Sequence, residues 1–223
     1  MSGPQALLAH ASKLGLLVLL AGVVWRERSG QCWSFVLYVA ATLVGNTLAT
    51  VRPDLFFTPA FTVQKQLLYD VLKAMVALEL AQRALTAFPG ALRTVRLNFA
   101  IVLGLILIAQ AWLTPRGSYA TIGTWEQSIA TGDTWLFTVT ALVVTWYNLP
   151  IGRWPRAIML GFAPYLLVFV ILLRVLQRRG WSFPFGLYDS LAWLGLLAFW
   201  AYAAWRRDDA PLPANLDASA ANA

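Results

Sequence analysis

One cysteine and one histidine stand in 223 residues. Cys32 alone excludes an intrachain disulfide and any cysteine-rich metal site. His10 alone excludes the multi-histidine metal centres of membrane hydrolases, so no metal ligands are assigned. Charge is scarce as well: Asp, Glu, Lys and Arg make up 12% of the chain, where soluble domains carry about 25%. The sequence has no HExxH, no Walker loop and no GxGxxG leading into a Rossmann pattern. A serine hydrolase needs a base beside its nucleophile, usually His. His10, near the start of a hydrophobic run, reads instead as an interfacial hydrogen-bonding residue. No catalytic residue is assigned. The opening MSGPQALLAHASKLG lacks a basic n-region and a clear cleavage site, so it is expected to be retained as a first membrane span.

What is present is apolar surface. Hydrophobic residues form 59% of the chain, and seven hydrophobic runs are expected to cross a bilayer, which takes about 20 residues. The expected spans are 5–25, 32–50, 61–85, 92–113, 134–149, 156–176 and 187–205. Prolines and glycines punctuate them, as at Val51-Arg52-Pro53-Asp54 and Phe88-Pro89-Gly90. Pro164, central in span six, predicts a kink. Residues 119–133 read as the longest loop, polar and moderately acidic, with room for a short interfacial helix around Trp125 and Ile129. Span five is the shortest, and extends outward if Gly132 does not break it. The fold class is therefore all-α, a polytopic seven-transmembrane-helix bundle over residues 1–207, with a disordered cytoplasmic tail at 208–223. No internal repeat is evident, which weakens an inverted-repeat transporter. A retinal protein would carry its lysine in the last helix, and span seven has none.

The net charge of +7 does not point to nucleic acid, because the basic residues flank the spans and alternate with no aromatic platform. The lipid bilayer is the first partner. Arg26, Arg28, Arg83, Arg93, Arg96, Arg153, Arg156, Arg206 and Arg207 fall at one side; Arg52, Lys65, Arg116, Arg178 and Arg179 fall at the other. The positive-inside rule then puts the N-terminus outside and the C-terminus in the cytoplasm. Trp25, Trp33, Trp112, Trp135, Trp181 and Trp205 lie near span ends and suit the membrane–water boundary.

Span three is the exception among the hydrophobic runs. It carries Lys65, Asp70, Lys73, Glu79 and Arg83. An ionisable group at bilayer depth is costly and needs protein or trapped water around it. Span three should therefore be enclosed by the other helices. Asp70 and Lys73 share a helix face, as do Gln66 and Asp70, and Glu79 pairs with Arg83 on another. Lys73 is expected to pair with Asp70, or with Asp189 across the bundle. His10, Lys13, Asn46, Asp70, Lys73, Gln110, Arg174 and Asp189 fall at similar, outer depth. They form the candidate ligand-binding set. With Lys65, their formal charge is positive, which suits an anionic or polar ligand.

The early histidine His10, the third helix LYDVLKAMVALELAQR and the last helix LYDSLAWLGLLAFWAYAAW resemble a group of uncharacterised bacterial seven-span integral membrane proteins. That resemblance implies a bacterial inner membrane location and the bundle architecture; it implies no activity, cofactor or substrate. Three functions stay open. The first is a non-enzymatic membrane module: a sensor-like or ligand-binding bundle, or an accessory subunit with a membrane-protein partner. The second is a small transporter or channel for a polar or anionic solute. The third is a membrane enzyme using Asp70, Asp189 or Glu79 as acid or base. Polar groups linking the outer cluster to Glu79 and Asn148 would mark a transporter.

Overall fold

A computed structural model describes residues 3–56, 58–84, 119–147, 149, 151–179 and 184–206. Among these residues every regular element is helical: α1 (Gly3–Trp25), α2 (Trp33–Val51), the single turn α3 (Pro53–Phe56), α4 (Pro59–Ala84), α5 (Tyr119–Trp146), α6 (Arg153–Arg179) and α7 (Phe185–Trp205). A 3₁₀ turn, Arg28–Gln31, links α1 to α2. Four helices, α1, α2, α6 and α7, are long and apolar enough to cross a membrane. α4 and α5 match them in length, at 26 and 28 residues, but carry more polar side chains.

The helices close a ring. α1 packs on α2, α2 on α4, α4 on α5, α5 on α6, α6 on α7, and α7 returns to α1. Aromatic residues fill its centre. Phe35 of α2 meets Trp154 and Phe162 of α6 and Trp200 of α7 edge-on, with ring centres 4.9–6.3 Å apart. Phe137 of α5 stacks on Phe162 at 4.5 Å. Such contacts add to the apolar burial itself. Glycine allows the closest approaches: a Cβ on Gly161 would collide with the Trp200 indole, and one on Gly22 would lie 2.7 Å from Trp205 Nε1. The outer surface of the ring is rich in exposed leucine, including Leu14, Leu37, Leu142, Leu167 and Leu191.

The expected helices at 5–25, 32–50, 61–85, 156–176 and 187–205 correspond to α1, α2, α4, α6 and α7 within a few residues. α6 runs on through Pro164 as one helix. Residues 92–113 and 208–223 lie outside the described residues. The stretch 119–133 departs from expectation, being helix and not loop. No proline interrupts it, and Gly132 stays helical. Asp133, the last residue of this stretch and near the middle of α5, is buried against Lys73 of α4. Trp25, Trp33 and Trp205 are exposed and gather at one end of the ring, but Trp135 lies mid-helix on α5. Trp112 and Trp181 are outside the described residues.

Candidate functional site: a polar cleft in one half of the bundle

The two ends of the ring are built differently. At the end holding Trp25 and Trp33, charged side chains serve the backbone. The Glu79 carboxylate of α4 accepts hydrogen bonds from the Ser34 N–H at 3.0 Å and the Trp33 N–H at 3.3 Å, and from the Ser34 hydroxyl. It thereby caps the N-terminus of α2, where backbone donors lack partners and an anion is favoured. Arg83 donates to Glu79 and to the Gly30 carbonyl, both at 3.0 Å. Arg28, almost fully buried, donates to the Ala203 and Arg206 carbonyls at 2.6 Å each and lies over the Trp154 ring. It occupies the C-terminal end of α7, where a cation is favoured. Cys32, just before α2, is buried beside Glu79. Burial, then the neighbouring carboxylate, pushes its thiol up to about 12.

The opposite half contains a part-open cleft of about 280 Å³. Four helices line it, each with residues about four apart, the spacing that keeps side chains on one face. α2 presents Tyr38, Thr42 and Asn46; α4 presents Lys65, Tyr69 and Lys73; α6 presents Tyr165 and Phe169; α7 presents Phe185, Asp189 and Trp193. Gly45 makes room for α4 at this wall, since a Cβ there would strike the Tyr69 hydroxyl. The Tyr69 hydroxyl donates to the Ala41 and Thr42 carbonyls at 3.4 and 3.3 Å, tying α4 to α2. Tyr165 donates to Asp189 Oδ1 at 3.3 Å.

Lys73 lines the inner reach of the cleft and is held from behind. Its ammonium lies 2.7 Å from Asp70 Oδ1 and 3.2 Å from Asp133 Oδ2, all three side chains being under a tenth exposed. The contact to Asp133 is close enough for charge, though its alignment does not make a hydrogen bond. Gln66 donates to Asp70 at 3.4 Å. Below this cluster the packing turns apolar, with Val76, Ala77 and Leu80 of α4 buried against the aromatic centre.

Of the eight candidate residues, Asn46, Lys73 and Asp189 line the cleft, and Asp70 supports Lys73. His10 is exposed on α1 and Arg174 is exposed on α6. Lys13 donates to the Thr50 hydroxyl at 2.7 Å and does not line the cleft. Gln110 lies outside the described residues. The partner of Lys73 across the bundle is Asp133, not Asp189. The expected positive balance changes with it: Lys65 and Lys73 stand against Asp70, Asp133 and Asp189. The aromatic lining was not anticipated, although its fourfold spacing in the hydrophobic runs was a usable signal. Among the described residues no cluster of His, Cys, Asp and Glu could hold a metal ion. Comparison with protein-family models, curated proteins and solved structures finds no match.

Proposed function

We propose that the chain is a seven-span, ligand-binding protein of a bacterial inner membrane, sensor-like or an accessory subunit, whose outer half receives a small polar solute. The reading includes a crossing by residues 92–113, outside the described residues. It is supported by the ends of α4 and α6: Glu79, near the end of α4, meets Cys32, and Trp154, at the start of α6, meets Arg28 in the same α1–α2 connection, so α5, which leads into α6, runs in the direction of α4. The single observation that carries the function is the cleft itself, a polar recess in one half of a ring whose centre is aromatic. Pockets with a few placed polar groups among aromatic side chains are the usual form of small-molecule sites. Along α4 the apolar residues Val76, Ala77 and Leu80 stand between the cleft and Glu79, which counts, among the described residues, against a continuous polar path for a transported solute.

Cysteine labelling tests this. In a Cys32→Ser background, Asn46→Cys at the cleft mouth should react with a membrane-impermeant maleimide added to intact spheroplasts. Ala77→Cys in the apolar layer should stay unlabelled from either side. Labelling of Asn46→Cys only after permeabilisation would overturn the orientation. Ready labelling of Ala77→Cys would favour the transporter.

A further inference from the structure

The cleft holds two opposite charges that do not neutralise each other. Lys65 lines it from α4 and Asp189 from α7. Among the described residues neither forms an ion pair, although other charged groups of α4 and α5 are paired within 4 Å. The Lys65 ammonium lies 5.9 Å from the centre of the Tyr69 ring, an aromatic face and not a carboxylate. Asp189 takes one hydrogen bond, from Tyr165, leaving acceptor capacity on its carboxylate. The third charge, Lys73, is already matched by Asp70 and Asp133. Facing walls therefore offer one cation and one anion with capacity to spare.

We infer that the cleft binds a small zwitterion, its ammonium on Asp189 and its anionic group on Lys65. This rests on the ligand-binding reading and names the chemistry of the ligand. Aromatic rings around Asp189 suit the ammonium end. Two contacts define that wall: Trp193 packs on Tyr165 with centres 5.5 Å apart, and Phe185 packs on Phe169 at 6.0 Å. A ring face attracts a cation that has shed its water. The size fits a small molecule. About 280 Å³ is close to the lower bound of roughly 300 Å³ for ligand pockets. Ammonium-and-anion chemistry has two sources at a membrane, a free amino acid and the headgroup of phosphatidylethanolamine.

The test uses the full chain in nanodiscs of phosphatidylglycerol, which brings no ammonium of its own. Three probes share a phenylethyl skeleton: L-phenylalanine, phenethylamine and 3-phenylpropionate. Calorimetric titration should show L-phenylalanine binding at least about tenfold more tightly than either half-charged probe, since each of those forfeits one charge-assisted hydrogen bond. Asp189→Asn and Lys65→Met should each remove that advantage. If the free probes do not bind but phosphatidylethanolamine raises the melting temperature, and Asp189→Asn abolishes the rise, the inference stands with a lipid as the source. Phenethylamine binding as tightly as L-phenylalanine would overturn it, as would indifference to every probe and to phosphatidylethanolamine. The probe series runs on the unaltered chain, so it decides the matter even if a variant fails to fold. Labelled Asn46→Cys with no response to zwitterions would sink this inference alone; unlabelled Asn46→Cys would sink the cleft reading beneath it.

Discussion

Replacing Lys73 with methionine would leave Asp70 and Asp133 without the ammonium that both contact. At an effective dielectric of about 20, unit charges 2.7 and 3.2 Å apart attract by roughly 6 and 5 kcal/mol. Desolvation of three buried groups and repulsion between the carboxylates cancel much of this. What remains is the cost of stranding buried charge, about 3–5 kcal/mol when one partner of a pair is removed. At about 2–4 °C per kcal/mol for a chain of this size, Lys73→Met should lower the melting temperature by on the order of 10 °C. Asp133→Asn should act differently. It leaves Asp70 and Lys73 as a one-to-one pair and should cost roughly 1 kcal/mol, the scale of an ordinary hydrogen bond. The triple change, Lys73→Met with Asp70→Asn and Asp133→Asn, removes all charge and should recover much of the loss. Melting followed by size-exclusion chromatography in detergent can rank the variants. Lys73→Met melting with the unaltered protein would refute the reasoning, and so would Asp133→Asn losing as much as Lys73→Met.

Two further outcomes can be checked by simpler means. Glu79→Gln should destabilise by about 1–2 kcal/mol, because the amide keeps an acceptor for the α2 backbone but loses its charge and its pairing with Arg83; thermal melting against Ser34→Ala should place both changes in the same range. Cys32 should resist alkylation at pH 8, since its thiol, pushed up to about 12, stays protonated there and is fully buried; mass spectrometry should find rapid modification only after denaturation, and fast native labelling would contradict the burial.

Helix positions were legible because hydrophobic runs bounded by Pro, Gly and Arg carry their own limits. The enclosure of α4 was legible from Asp70 and Lys73, whose cost in lipid demands partners. Asp133 was not, because its polar surroundings imitate a loop when read alone. Only packing against Lys73 turns that polarity into a reason for helix. Depth along a span follows from counting residues, so Asn46, Lys73 and Asp189 could be grouped. Rotation about the helix axis does not follow from counting when a helix is apolar on nearly every side, as α1 is, so His10, at suitable depth, faces away from the cleft. Arg174 is exposed on α6 for a different reason: depth alone was weighed, and the apolar face of α6 was not. The aromatic residues at fourfold spacing could have identified the lined faces, had they been weighed beside the charges.

The ring is closed by α7 lying on α1, with Gly22 receiving Trp205 and Gly15 receiving Leu197. These two helices are far apart in sequence, so synthesis delivers them at different times. α4 emerges with Asp70 and Lys73 before Asp133 of α5 exists, and Asp189 arrives later still, on α7. During that interval the growing chain holds a half-built recess and a strip of α1 with small residues and no neighbour. Docking of Trp205 on Gly22 then closes the ring, and α7 brings Asp189 with it as the last wall of the cleft.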